Sequence, residues 1–220
     1  MKYFRNSITV TLLVVTLLAL FGLAVSGKTF AKEMPDTDIK YATIASGRYD
    51  FDVAHGIIGF GVQHLGIALV EGRFKDFSGF INFDEKDVTR STVEFTAKVA
   101  SIDTGVAPRD THLKSADFFE AEKFPEMKFK STKVEKKDKK LLLTGDLTIK
   151  GVTRQVSLPF TLTGAVTDPW GGTRFGIEAS TTLNRRDYGI NYGNMLPSGA
   201  LDVANDVRID LHIEAVKATK

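Results

Sequence analysis

The sequence predicts an all-β fold of about eight to ten antiparallel strands that close into a barrel or stack as a sandwich. Three observations predict it. From Gly47 onward apolar and polar residues alternate with a period of two, as in strands with one buried face. Clusters of Gly, Asp and Pro such as "TDPWGG" punctuate the alternating runs as turns. The faces opposite the apolar ones are charged. A transmembrane barrel has the reverse polarity, apolar outside and polar within. An apolar inside matches soluble barrels that hold one apolar ligand.

The elements follow in chain order. Lys2 and Arg5 precede an uncharged run from Asn6 to Gly27, and small residues follow at Ser26, Gly27 and Ala31. This layout predicts a secretory signal peptide over residues 1–31, cleaved after Ser26 or Ala31. The alternative is an uncleaved anchor, because the run is nearly long enough to span a bilayer. Residues 32–46, "KEMPDTDIKYATIAS", are polar and unpatterned, and read as a short tether to a domain over 47–218. Cleavage would remove Lys2, Arg5 and Lys28 and no acid, so 29 basic residues become 26 against 27 acids, a net charge of −1 in place of +2. That balance excludes the basic field that nucleic acid requires. The absence of cysteine excludes disulfides, thiolate metal sites and a cysteine-linked lipid anchor. An exported chain without disulfides needs a substantial core.

The stretch "HGIIGFGVQHLG", His55 to Gly66, admits three readings: phosphate loop, metal site or cavity wall. As a strand, Ile58, Phe60, Val62 and His64 share one face, and Gly59, Gly61 and Gln63 the other. A phosphate loop lacks its third glycine and its following helix. His55 and His64 fall on opposite faces of an unbroken strand. A bulge at Gly56 would bring them together, but the other histidines lack ligand spacing, so neither a metal nor a cofactor is expected. His64 is either a core histidine bonded to a neighbour or a polar contact for a ligand among apolar walls.

Next, "STVEFTAKVAS" places Val93, Phe95, Ala97 and Val99 inward. "PRDTHLKSADFFEAEKFP" shows no alternation and predicts a short helical excursion near residues 109–123, with Asp110 and Ser115 capping turns and Pro125 ending it. "PEMKFKSTKV" and "KKLLLTGDLTIKG" are strands joined by a lysine-rich turn. "RQVSLPFTLTG" turns Val156, Leu158, Phe160 and Leu162 to one face, and "TRFGIEASTTL" does so with Phe175, Ile177 and Ala179. The last strand sets Val207, Ile209, Leu211, Ile213 and Ala215 against Asp206, Arg208, Asp210, His212 and Glu214.

The same residues carry a family resemblance. "YDFDVAHGIIGFGVQHLG", "VEGRFKDFSGFINFD", "SIDTGVAPRDTHLKSADFFEAEKFPEMKFKST", "LTGDLTIKGVTRQVSLPF" and "LNRRDYGI" resemble the YceI-like family of polyisoprenoid-binding proteins over about Gly47 to Val216. Thr104, Arg109, Asp110, His112, Leu113, Asp117, Phe118, Phe119, Phe124, Pro125, Phe129 and Ser131 form the central motif. Tyr188 stands where phenylalanine is more usual. The resemblance implies an extended antiparallel lipocalin-like barrel of about eight strands, exported to the periplasm and often a homodimer. Its lumen would hold a long isoprenoid lipid such as a polyprenyl pyrophosphate or an isoprenoid quinone.

Under that reading the lumen contacts are Ile58, Phe60, Val62, His64, Phe74, Phe95, Phe129, Leu158, Phe160, Phe175, Ile177, Val207, Ile209 and Leu211. The polar mouth would use Arg109, His112, Lys114 and Arg186, or its neighbour Arg185. Arg109–Asp110 and Arg186–Asp187 read equally well as ion pairs that fix loops, and Asp117 as a buttress for His112. A carrier, not an enzyme, is expected. The rival readings are a lipid-modifying enzyme built on Asp110, His112, Ser115 and Asp117, a filled scaffold, or a binder of another amphiphile such as a fatty acid or amide. No Gly-x-Ser-x-Gly elbow or HExxH motif supports catalysis.

Overall fold

The computed structural model describes residues 40–138 and 140–219, so the expected signal segment lies outside the described residues. Ten strands form one antiparallel sheet: β1 Gly47–His64, β2 Ala68–Phe74, β3 Phe77–Phe83, β4 Thr92–Lys98, β5 Ile102–Asp103, β6 Glu126–Lys137, β7 Lys140–Ile149, β8 Val152–Thr167, β9 Thr173–Asn184 and β10 Val203–Lys217. β10 pairs with β1 and closes the sheet on itself, which leaves a barrel and not a sandwich. β2 and β3 pair with successive parts of β1 and form one wall strand interrupted at Lys75–Asp76. β4 and β5 likewise pair with β3 and β2 in turn. Ten segments therefore make eight walls.

The register defines two ends. β1 leaves the far end where Gly47 opposes Phe83, and reaches the mouth end where His64 opposes Val203. The mouth end holds the β1–β2 turn, helix α1 (Ala107–Lys114) with the turns up to Pro125, and the loop 189–202. The far end is covered by a 3₁₀ turn, Val88–Arg90, which Asp87 caps by accepting from the Thr89 N–H.

The helical excursion exists, but its capping differs from expectation. Val106 is the N-cap of α1 and Asp110 lies within the helix. The Asp110 carboxylate instead accepts from the Thr104 N–H at 2.9 Å and the Thr104 hydroxyl at 2.6 Å, fixing the chain that enters the helix. Ser115 ends the helix and accepts from the Asp117 N–H at 3.3 Å.

The end of the expected tether belongs to the barrel. Ala42 pairs with Ala165 through two backbone hydrogen bonds of 2.8 and 3.0 Å, and Ile44 is buried beside Tyr49 and Phe175. The Tyr49 hydroxyl donates to the Ala45 carbonyl at 2.8 Å. Polar composition concealed this segment because only one of its described side chains, Ile44, enters the core.

One irregularity in β1 matters for function. Between Asp52 and Ile57 β1 advances five residues while β10 advances two, from Glu214 to His212. The three extra residues form a bulge and reverse which parity faces inward. Phe51 and Ile58 therefore both line the interior, although an unbroken period of two would separate them.

Candidate functional site

The interior is hollow. A cavity of about 430 Å³ extends along the barrel, from Val88 and Ser91 at the far end to His112 and Tyr192 at the mouth. That volume lies within the range of small-ligand sites. Every apolar side chain expected to face the lumen lines it: Ile58, Phe60, Val62, Phe74, Phe95, Phe129, Leu158, Phe160, Phe175, Ile177, Val207, Ile209 and Leu211. The aromatic residues pack against one another along the wall. Phe95 and Phe129 stack with centroids 5.6 Å apart, Phe60 leans on Phe74 at 5.8 Å, and Phe119 meets Phe74 edge-on at 5.9 Å.

At the mouth, His112 meets Phe118 edge-on at 5.0 Å and Tyr192 at 4.9 Å. Its Nε2 lies 2.9 Å from the Asp117 carboxylate, so Asp117 does buttress His112. Arg109 lines the cavity, with Nε donating to the Thr104 hydroxyl at 2.7 Å and Nη2 to the Thr104 carbonyl at 2.8 Å. Thus Arg109 and Asp110 are both fixed by Thr104 and do not pair with each other. His64 also lines the cavity but is exposed at the mouth, which excludes the core-histidine reading.

The other predicted mouth residues lie elsewhere. Lys114 ends α1 outside the cavity lining, and Arg186 donates to the Asn205 side chain at 2.7 Å on the outer surface. The neighbour Arg185 takes the inner position. It is 6% exposed, lines the cavity, and donates to the backbone carbonyls of Ala204, Ile190 and Val203 at 2.9, 2.8 and 2.9 Å. These bonds tie the loop 189–202 to β10. Burial holds the Arg185 pKa below its ordinary value. The signal for Arg185 was present in the sequence: counting by twos from Phe175 through Ala179 reaches Arg185 and not Arg186.

Against this geometry the comparisons are specific. The YceI-like domain profile matches residues 49–215. The chain belongs to the YceI-like family. It is 47% identical to a UPF0312 protein of Photorhabdus laumondii over 67% of this chain and 77% of that protein. It is 42% identical to protein YceI of Escherichia coli O157:H7 over 74% of this chain and 85% of that protein. Among solved structures, BcnA of Burkholderia cenocepacia superposes with a TM-score of 0.66 at 25% identity, covering 77% of this chain and 99% of that one. A polyisoprenoid binding domain from Saccharophagus degradans superposes at 0.59 and 14% identity, covering 77% and 98%, a likeness of fold alone.

Two further clusters in this YceI-like barrel bear on chemistry. In the loop proposed for catalysis, the Ser115 hydroxyl engages the Asp117 N–H, and no nucleophile is bonded to the His112–Asp117 pair among the described residues. On the outer wall, Asp52, His55 and Glu214 bring possible metal-ligand atoms within 4.8 Å of one another. Arg174 already pairs with both carboxylates, with Nη1 2.6 Å from each and Nε 2.6 Å from Asp168. The bulge in β1 does not join His55 to His64: His55 bonds Asp52 at 3.0 Å on the outside, and His64 stands at the mouth.

Proposed function

We propose that the protein is an exported carrier, acting in the periplasm, that sequesters a long isoprenoid chain within the barrel. The observation that carries this reading is the hollow, almost wholly apolar interior, whose exposed lining residues all lie at one end of the barrel. Burial provides the affinity: each CH₂ taken from water contributes about 0.8 kcal/mol, so ten such groups give roughly 8 kcal/mol before the costs of association. Phenylalanine walls suit a branched, unsaturated tail. The Saccharophagus domain, described as polyisoprenoid binding, shares this fold.

The head group is a neutral hydrogen-bond acceptor such as a quinone carbonyl. Among the described residues, only two basic side chains besides histidine line the cavity, Arg109 and Arg185. All three nitrogens of Arg185 serve backbone carbonyls, and two of Arg109 serve Thr104. Arg109 Nη1 makes no hydrogen bond among the described residues, and that single donor suits one carbonyl and falls short of the several cationic donors a pyrophosphate needs.

Mass spectrometry of organic extracts, with uptake of added isoprenoids, tests this reading. An extracted or absorbed isoprenoid quinone is expected. Arg109→Ala should weaken quinone binding about tenfold, the worth of one charge-assisted hydrogen bond. Empty extracts together with no uptake would overturn the carrier reading. Equal affinity for a polyprenyl pyrophosphate would overturn the head-group assignment.

A further inference from the structure

Of the described residues lining the cavity, only Gln63, His64 and Tyr192 are exposed, and all three lie at the mouth end. A few residues outward from a lining position, each of the three mouth segments presents an exposed apolar side chain. Ile67 follows His64 by three residues and is 84% exposed. Met195 follows Tyr192 by three and is 73% exposed. Val106 precedes Arg109 by three and is also exposed.

The three segments meet. The Leu65 N–H donates to the Asp202 carbonyl at 2.9 Å, joining the β1–β2 turn to the loop 189–202. His112 of α1 packs on Tyr192 of that loop. The turn itself is unusual for water. Tight hairpin turns favour Asn, Asp or Gly where φ is positive. Here Leu65 takes φ +56° and Gly66 +74°, and Ile67 and Leu69 follow, both exposed. Leu69 covers Gly61 of β1, whereas Ile67 at the tip is left almost wholly exposed.

We propose that the mouth end docks on a lipid bilayer, with Ile67 and Met195 inserted among the lipid chains. This inference rests on the reading of the cavity as an isoprenoid site. An apolar rim continuous with an apolar lumen lets the tail pass from membrane to barrel without exposing its length to water, which would cost about 0.8 kcal/mol per CH₂. No helix among the described residues is long and apolar enough to cross a membrane.

The test uses vesicles of phosphatidylethanolamine and phosphatidylglycerol carrying an isoprenoid quinone. Ile67→Asp and Met195→Asp should each lower vesicle co-sedimentation and the rate of quinone extraction about tenfold. Both should still bind the same quinone from a detergent dispersion as wild type does. Ile67→Trp should strengthen co-sedimentation. Trp170→Asp is the control, since Trp170 is 85% exposed in the turn between β8 and β9 at the far end. Unchanged extraction by the Asp variants, with binding from detergent intact, would overturn the docking inference and leave the cavity reading standing. Variants that convert a dimer to a monomer without slowing extraction would make the rim a self-association face and overturn it too. A wild-type protein that takes quinone from neither source would sink both readings.

Discussion

Tyr188 offers the sharpest test of the interior. It is 2% exposed, packs with Phe129, Leu147 and Leu158, and its hydroxyl has no hydrogen-bond partner among the described residues. Burial also pushes its pKa above the ordinary phenol value. A buried hydroxyl left unpaired costs about 1–3 kcal/mol. Its removal in Tyr188→Phe deletes one oxygen and a handful of dispersion contacts, each worth about 0.1–0.2 kcal/mol, so roughly 1 kcal/mol at most is lost in return. The variant is therefore expected to be more stable, by about 1 kcal/mol. For a domain of this size that raises Tm by about 2–4 °C. Calorimetry and urea denaturation of lipid-stripped protein read the change. A loss of stability of similar size would refute the reasoning, because it would mean that the hydroxyl is bonded in the folded state. The resemblance to the family points the same way, since phenylalanine is the more usual residue there.

Two further outcomes follow from geometry. A Cβ at Gly145 would lie 2.4 Å from Phe129 Cζ and 2.6 Å from the Lys130 carbonyl, so Gly145→Ala should lose about 1–3 kcal/mol in urea denaturation and disturb the Phe95–Phe129 stack, whereas an unchanged midpoint would contradict this packing. The hydrogen bond with His55, and then that from Arg174, hold the Asp52 pKa down to about 2, well below the ordinary carboxylate value. A lowered folded pKa gives stability that is complete above the unfolded value and lost as pH falls through the folded one. Acid denaturation between about pH 4 and pH 2 should therefore be shallower in Asp52→Asn than in wild type, and parallel curves would remove Asp52 from the linkage.

Where strands run without interruption, the sequence was a sufficient guide. β10 and β9 keep one parity along the stretches that face the lumen, so Val207, Ile209, Leu211 and Phe175, Ile177, Ala179 were legible from alternation alone. It failed where backbone geometry intervenes. The bulge in β1 reverses parity, which hid Phe51. In β6 the register shift between Ser131 and Lys133 does the same for Val134, which lines the cavity five residues after Phe129. The loop 189–202 had no period to read. Tyr192 reaches the mouth because Arg185 grips backbone carbonyls, and side-chain bonds to carbonyls leave no pattern in residue types. The positions of Lys114 and Arg186 illustrate the same limit: charge near a mouth in sequence does not fix which side of the wall it occupies.

Hollowness itself has a cause in the sequence. Phenylalanines standing upright on eight walls would fill the lumen, as side chains do in small barrels. Here several lie against glycine instead. Gly72 directly opposes Phe60 across β1 and β2, and a Cβ there would fall 2.4 Å from the Phe60 ring. A Cβ at Gly79 would fall 2.6 Å from the Phe51 ring, and one at Gly145, which opposes Ser131 and lies diagonal to Phe129, would fall 2.4 Å from the Phe129 ring. A ring that reaches the bare backbone of the adjoining strand lies along the wall, where it covers a gap in the side-chain layer and leaves the axis open. Each pair thus gives the interior an aromatic surface while removing the second side chain that would otherwise meet it. The glycines that first suggested a phosphate loop act in the same economy of space: Gly61 admits Leu69 from the neighbouring strand at 3.2 Å from where its Cβ would be. A cavity made in this way is a property of paired positions. Restoring side chains at Gly72, Gly79 and Gly145 would push the rings toward the axis and close the lumen from its walls inward.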